Sequence, residues 1–148
     1  MNNPMSGLRT FHYHEIVTGM TAAHDYVIAP EVYEQFLAVF KDYSPVHVDE
    51  AFAKSRGFSG KVIHGSLLNG FVSHFVGMRF PGRFSLLLSV DLRFSNPSYL
   101  GDSINLAVEV VQKMDAHNII ILDAKLSNTT RNCLAARGRI QVMVKETA

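Results

Sequence analysis

The sequence has little cysteine: of its 148 residues only Cys133 carries a thiol. A single thiol excludes an intrachain disulfide and any multi-cysteine metal site, and it is typical of a protein in a reducing compartment. The first fifteen residues lack the charged start and apolar core of a secretory signal. No apolar run approaches the ~20 residues needed to span a bilayer. We therefore expect a cytoplasmic protein.

An excess of one charge is missing too. Fourteen basic and thirteen acidic residues leave a formal net charge of +1, so the balance indicates neither a nucleic-acid nor a membrane partner. Phosphate-loop and dinucleotide fingerprints are absent, as is the Gly-x-Ser-x-Gly elbow of many serine hydrolases. We expect neither a metal ion nor a resident cofactor. The composition, 47% hydrophobic and 18% charged, is that of an ordinary globular domain.

The first third of the chain predicts a loose arm followed by mixed structure. Residues 1–9 are polar and contain Pro4 and Gly7, which favours a flexible N-terminal arm and a single domain over residues 10–148. Strands are predicted around residues 11–13 and 26–28. A helix is predicted to begin at Pro30, a residue that suits the first helical position, and a shorter helix is predicted over residues 48–55.

The most apolar segment, residues 64–78, contains no Asp, Glu, Lys or Arg. Its large apolar side chains recur at helical spacing, and we expect other structure to wrap this helix on every side. Four strands with alternating patterns follow it, and short turns between them predict an antiparallel sheet. The inward face predicted for the first of these strands consists of Leu86, Leu88, Val90, Leu92 and Phe94. An α+β domain follows, because such a sheet must bury one face and only this helix is fully apolar.

An acid and an imidazole lie five residues apart in Asp42-Tyr43-Ser44-Pro45-Val46-His47. Pro45 disfavours the helical conformation for Ser44 and has no N–H to donate, so the chain is predicted to turn between Asp42 and His47. A loop can aim both side chains at one substrate, whereas a continuous helix would separate them around its axis. We interpret the pair as a catalytic dyad. Each residue alone would favour a turn-forming or surface role.

The combined motif resembles a known family. Asp42-x-x-Pro45-x-His47, then Gly57-Phe58, then His64-Gly65 opening an apolar helix that contains Ser73, is similar to the MaoC-like (R)-specific enoyl-CoA hydratases. The resemblance implies a hot-dog fold, in which an antiparallel sheet wraps around one apolar helix. It also implies a homodimer joined through sheet edges.

The similarity continues through Phe94-Ser95-Asn96-Pro97 and Gly101-Asp102, and it spans about residues 10–145. Two positions depart from the pattern. The family's usual asparagine before the proline is Ser44 here, and the residue after the His-Gly pair, often methionine, is Ser66. Neither departure removes a proposed catalytic group, but both bear on substrate choice and dyad alignment.

Hydration of a conjugated enoyl thioester needs an activated water, a proton for the α carbon and a donor for the enolate oxygen. Asp42 can accept the proton from water, and His47 can hold that water and supply or relay a proton. The backbone N–H of Gly65, at a helix N-terminus, faces where the negative oxygen develops. By resemblance, Ser73 lies beside Asp42 and orients its carboxylate. The expected substrate is an acyl-CoA or acyl-carrier-protein thioester, with coenzyme A or pantetheine as part of that substrate.

Two other functions stay open at this stage. A hot-dog acyl-CoA thioesterase would share the fold and the ligand, although many such enzymes carry an acid on the central helix and this helix has none. A non-catalytic acyl-thioester binding subunit would be expected to have lost Asp42 or His47. The cations Lys61, Arg79, Arg83 and Arg93 flank the central segment and are predicted to be solvated surface charges.

Overall fold

The structure is a computed structural model that describes residues 5–146. The helices are α1 (Pro30–Phe40), α2 (Pro45–Val48), α3 (Glu50–Ser55) and α4 (Gly65–His74). The strands are β1 (Thr21–Val27), β2 (Ser85–Phe94), β3 (Ser103–Met114), β4 (Ile119–Asn128) and β5 (Cys133–Val144). Among the described residues, no helix combines the length and apolar character needed to cross a membrane.

The five strands form one antiparallel sheet in the order β1-β3-β4-β5-β2. Alternate residues of the three middle strands are fully buried, as the period-2 pattern predicts. They pack on Leu67, Leu68, Phe71 and Val72 of α4 in one continuous core. Burying each such side chain contributes about 1.5–3 kcal/mol. The predicted hot-dog fold is therefore confirmed.

One face of α4 is open. Asn69, Gly70, Ser73 and His74 are exposed on it, and a Cβ added at Gly70 would meet nothing within 4 Å. The prediction that this helix is wrapped on every side is therefore wrong for the single chain. After His74 the helix widens into a π turn at Phe75–Arg79, closed by the bond from the Phe80 N–H to the Phe75 carbonyl.

The predicted inward face of β2 is only partly right. Val90 and Leu92 pack against the core, but Leu86 and Leu88 are 52% and 42% exposed, and Leu87 points inward instead. The pairing of β2 with β5 shifts between Leu87 and Ser89. An extra residue in a strand reverses the facing of every residue on one side of it. The bulge thus leaves apolar side chains outside the core on an edge strand.

The strand predicted around residues 11–13 is absent. Phe11 donates its N–H to the Pro81 carbonyl, but side chains take the N–H groups of His12 and Tyr13. His12 donates its N–H to the Glu15 carboxylate at 2.7 Å, and Tyr13 donates to Glu146 at 2.7 Å. A short 3-10 helix, Tyr13–Glu15, forms in place of a strand. Of the predicted N-terminal arm, residues 1–4 lie outside the described residues. In the remainder, the Arg9 N–H donates to the Met78 carbonyl at 2.9 Å.

The segment after α1 is more helical than predicted. Pro45 occupies the first position of the one-turn helix α2, so a turn of helix stands where a simple loop between acid and base was expected. The helix predicted over residues 48–55 begins at Glu50, because Asp49 caps it by accepting the Phe52 N–H at 2.9 Å.

Candidate active site

Asp42 is delivered by the end of α1. Lys41 adopts a left-handed conformation, with φ of 54°, and its N–H donates to the Leu37 carbonyl. This C-cap turns the chain sharply out of the helix, so Asp42 begins a new direction. The Asp42 carboxylate then accepts the Ser44 N–H at 3.2 Å, which closes a local turn before Pro45. Asp42 is exposed and open to a ligand.

His47 is held in place through one of its two ring nitrogens, Nδ1. It lies on α2, half-buried, and Nδ1 is 2.6 Å from the Val62 carbonyl oxygen. A carbonyl only accepts, so Nδ1 carries the hydrogen in that bond. In the neutral ring the lone pair is therefore on Nε2, the nitrogen left for chemistry.

His64 lies between the two members of the dyad, a position to which the sequence pattern assigned no chemical role. The side chain is 3% exposed, and its ring stacks on His47 with centroids 3.7 Å apart. Nε2 lies 2.9 Å from the Asp42 carbonyl oxygen and 3.4 Å from the Asp42 carboxylate. Nδ1 lies 3.2 Å from the Tyr33 hydroxyl. One ring thus touches both dyad residues and braces them against α1.

The protonation of His64 follows from its surroundings. Burial, the largest influence, lowers its pKa, and the charge of His47 acts in the same direction; the hydrogen bond to the Asp42 backbone opposes both. At neutral pH the ring is therefore uncharged, with Nε2–H donating to Asp42. The Tyr33 hydroxyl shares its hydrogen between Nδ1 and the His47 carbonyl, both 3.2 Å away. Burial raises the pKa of Tyr33, which keeps its hydroxyl protonated as the donor.

Asp42, His47 and His64 converge on one point. One ligand atom of each lies within 4.8 Å of the others, a spacing that a single bridging water can span. The same three groups suit a metal ion less well. The two rings stack with planes 26° apart, so their lone pairs lie in separate, nearly parallel planes, which disfavours binding of one ion by both rings. His47 and His64 also each donate one N–H to a backbone carbonyl. The cluster is therefore better suited to proton transfer.

A cavity of about 430 Å³ opens beside the cluster. It is bounded by His47, by the first turn of α4 at Gly65 and Ser66, and by Phe58. The first N–H groups of a helix have no partner within it, and they attract negative charge. This lining is mostly apolar, which is the usual character of a small-molecule site. The cavity therefore joins an acid–base cluster to a helix N-terminus.

Gly65 permits a close contact with an aromatic ring. A Cβ added there would come within 2.8 Å of the Phe94 ring, closer than real side chains approach, so the ring needs a glycine beneath it. Phe94 is 53% exposed and ends the edge strand β2. In this structure the aromatic ring lies against the Cα of Gly65, and both line the cavity at the helix N-terminus. A thioester entering the cavity near Gly65 therefore lies beside this ring.

Ser73 lies on the exposed face of α4, about 12 Å along the helix axis from Gly65. The two hydrogen-bonding neighbours that the structure gives the Asp42 carboxylate are the Ser44 N–H and, at longer range, His64. The orienting role of Ser73 therefore stays a prediction. Of the two aromatic residues within the motif, Phe58 lines the cavity and Tyr43 is 58% exposed.

One wall of the cavity depends on a buried carboxylate. Asp102, 2% exposed, accepts hydrogen bonds from the Tyr99 N–H, the Asn128 side chain and Arg131 Nε at 2.7–2.9 Å. These bonds fix the loop of residues 95–98, which lines the cavity. The Gly101-Asp102 pair was noticed only through resemblance, because nothing in local sequence reveals that an aspartate is buried.

Comparisons with known proteins agree on one group. The family model described as MaoC like domain matches residues 14–132. The chain is 33% identical over 107 residues to an (R)-specific enoyl-CoA hydratase of Aeromonas caviae, covering 72% of this chain and 79% of that protein. It is 29% identical over 105 residues to a 3-hydroxybutyryl-CoA dehydratase of Methylorubrum extorquens, covering 71% and 67%. Among solved structures, the R-hydratase PhaJ1 of Pseudomonas aeruginosa superposes with a TM-score of 0.82 at 29% identity, covering 91% of this chain and 86% of that one.

Proposed function

Because the chain belongs to the MaoC like domain family, we propose that it hydrates trans-2-enoyl-CoA to (R)-3-hydroxyacyl-CoA, or catalyses the reverse dehydration, through Asp42 and His47. The enzyme is a hydro-lyase, as are the relatives named hydratase and dehydratase. The observation that carries the proposal is the meeting of Asp42 and His47 within 4.8 Å, beside a cavity that reaches a helix N-terminus.

The proposed reaction begins with a water held between the dyad groups. Asp42 accepts one proton from this water while the oxygen forms a bond to the β carbon of the thioester. The electron pair of the double bond moves towards the thioester carbonyl and leaves negative charge on its oxygen. The proton taken up by Asp42 then passes to the lone pair on His47 Nε2, since Nδ1–H remains tied to the Val62 carbonyl, and from Nε2 to the α carbon, so that both residues return to their starting state. Dehydration reverses these steps over the same barrier.

The backbone N–H of Gly65 is the proposed donor to the developing oxyanion. It stands at the N-terminus of α4, where the helix dipole adds positive potential. Removing one such donor typically costs about 100-fold or more in turnover. Because the Phe94 ring lies over Gly65, productive binding involves contact with this ring, which then forms part of the wall around the thioester.

We further propose that the enzyme is a homodimer. Strand β2 lies at one edge of the sheet, and it exposes Leu86, Leu88 and Phe94. Long apolar edges of this kind are normally paired or covered. A second copy of the chain would pair the edge and bury these three side chains. Sedimentation should then give twice the mass of the chain, and Leu86→Lys with Leu88→Lys should halve it.

The direct test is loss of the conjugated chromophore of crotonyl-CoA, with a thiol reagent in a parallel sample. Asp42→Asn should lower turnover at least ~100-fold, the scale of a positioned acid–base group, while the fold persists because the carboxylate is exposed. Asp49→Asn is the matched control, since Asn also caps a helix and the same charge is removed nearby.

Each outcome separates the functions considered. Chromophore loss without free thiol, abolished only by Asp42→Asn, supports the hydratase, and analysis of the product on a chiral column should give the (R) alcohol. Free thiol would mark a thioesterase. Near-full activity of Asp42→Asn would reject Asp42 as the base. Tight binding of acyl-CoA with neither reaction would indicate a binding subunit.

A further inference from the structure

A second cavity lies at the opposite end of α4, between the π turn and strand β1. Its volume is about 270 Å³. Phe11, Phe75 and Phe80 form an apolar side, and Arg9, His24 and Arg79 form a polar one. Arg79 stands fourteen residues beyond Gly65, which is about 20 Å along a helix. This cavity is therefore separate from the Asp42–His47 cluster.

Arg79 is the unusual residue of this cavity. It is half-buried, contrary to the expected solvated charge, and Nη1 donates to the Gly7 carbonyl at 3.3 Å. Nε is buried and has no hydrogen-bond partner among the described residues. A guanidinium is always charged, and a buried donor left unpaired is costly. The guanidinium of Arg79 therefore keeps unused hydrogen-bonding capacity beside the cavity.

Within the described part of the chain, no carboxylate forms an ion pair with Arg79 or Arg9. The ion pairs formed within residues 5–146 are His12–Glu146, Lys54–Glu50, His64–Asp42 and Arg131–Asp102, and none uses Arg9 or Arg79. Asp25, which follows His24 in β1, accepts a hydrogen bond from Asn105 at 2.7 Å. Two cationic side chains thus share the cavity without an ion-pair partner among residues 5–146.

The neighbouring histidines report the resulting positive potential. The pKa values of His24 and His74 are lowered, most strongly by burial and then by the charge of Arg79. Arg9 lowers the pKa of His24 further, and only Asp25 opposes it. The rings of His24 and His74 lie 6.1 Å apart, so both sense the same field. Their neutral rings leave the two guanidinium groups as the charges that a ligand would meet.

We propose that this cavity binds a small organic anion, a carboxylate or a phosphate joined to an apolar group. The anionic head lies against Arg79 and Arg9, since guanidinium N–H groups match the spacing of carboxylate and phosphate oxygens. The apolar part packs on Phe75 and Phe80. The volume lies just below the usual range for drug-sized ligands, which fits octanoate or phenyl phosphate better than a nucleotide.

Titration calorimetry with octanoate and with phenyl phosphate tests the site and distinguishes the two head groups. Inorganic phosphate probes the head alone, and octanol probes the tail alone. Saturable binding of at least one organic anion is expected, with weaker binding of inorganic phosphate and of octanol. Nuclear magnetic resonance of the histidine rings locates the ligand: His24 should shift, and His47 and His64 should not. This readout needs no enzymatic activity, so it is independent of the proposed hydratase function.

Arg79→Gln should weaken binding by about tenfold or more, the effect of one charge-assisted hydrogen bond. Arg9→Gln should also weaken binding, and it keeps the fold because the side chain is exposed. Arg83→Gln removes the same charge from a nearby exposed position outside the cavity, and it should bind as the unmodified protein does. The proposal is overturned if neither organic anion binds, if octanol binds as well as octanoate, or if Arg83→Gln weakens binding as much as Arg9→Gln.

Discussion

Replacing His64 by two different amides separates its two contacts. The amide nitrogen of glutamine falls near the position of Nε2, and the amide oxygen of asparagine falls near Nδ1. His64→Gln therefore keeps a donor for the Asp42 carbonyl and loses the ring acceptor of Tyr33, whose hydroxyl keeps the His47 carbonyl as its other acceptor. His64→Asn keeps an acceptor for Tyr33 and loses the link to Asp42. The pair of variants thus compares the two contacts at one buried position.

The expected magnitudes follow from these contacts. Each variant removes one hydrogen bond of a buried group, so each should lower the free energy of unfolding by about 1–3 kcal/mol. Turnover should differ between the two. Losing the Asp42 contact frees the segment that carries the carboxylate, and a displacement of ~1 Å at a catalytic group can cost ~100-fold. His64→Gln keeps that contact and should retain turnover within about tenfold.

Urea unfolding and crotonyl-CoA hydration, measured on both variants and on Tyr33→Phe, check this reasoning. Tyr33→Phe should lose the contact with the ring, as His64→Gln does, and also the hydrogen bond from the Tyr33 hydroxyl to the His47 carbonyl at 3.2 Å, so it should be at least as destabilised as His64→Gln. Equal turnover of His64→Asn and His64→Gln at equal stability would show that the Asp42 contact does not position the dyad. We would then regard His64 as a purely structural residue. The comparison rests on the proposed hydratase activity, whereas the unfolding data stand alone.

Two further predictions concern stability. Lys41→Gly should raise the free energy of unfolding by about 0.5–1 kcal/mol. Lys41 has a positive φ of 54°, a conformation that costs a residue with a side chain ~1–2 kcal/mol and glycine less. Lys41→Ala, measured in the same urea series, should give no gain. On acidification the chain should lose stability through His24, His64 and His74, whose pKa values are lowered in the fold mainly by burial. Below about pH 6.5 these three histidines bind protons in the unfolded chain that they do not bind in the folded one. Their contribution to the free energy of unfolding is therefore present above that pH and is lost as the pH falls through the folded pKa values. His64→Gln should have a shallower slope of stability between about pH 7 and pH 5, and an identical slope would contradict the assignment.

The local sequence pattern predicted the helices and strands in which side-chain burial follows the regular period of the element. Helix α1 runs from Pro30 to Phe40, where a favourable first residue and helical spacing placed it, and strands β3 to β5 alternate as expected. The failures have non-local causes. Tyr13 donates its N–H to Glu146 at the far end of the chain, which no pattern around Tyr13 could reveal. Leu86 and Leu88 face outward because a bulge interrupts β2, and their alternation alone looks regular.

The candidate site was predictable as a set of residues but not as a geometry. Asp42 and His47 were recognised from their spacing around Pro45 and from resemblance to a family. The tautomer of His47 depends on the Val62 carbonyl, fifteen residues away. The ring that contacts both Asp42 and His47 belongs to His64, to which the motif assigned no chemical role. Whether Phe94 covers Gly65 is decided by where an edge strand ends. Such features depend on tertiary contacts and cannot be predicted from the local sequence.

The strand order also determines when the enzyme can be completed during synthesis. Strands β3, β4 and β5 are joined by short turns and can pair as soon as they leave the ribosome. Thr21 pairs with Glu109, and Ser85 with Val144, so both outer strands and the apolar helix α4 emerge well before the strands that bury them. Contacts between such distant positions form slowly, and exposed apolar segments are prone to aggregate while they wait. The nascent chain therefore exposes its most apolar helix for a long interval before a sheet can cover it. We expect chaperones to bind the chain during that interval.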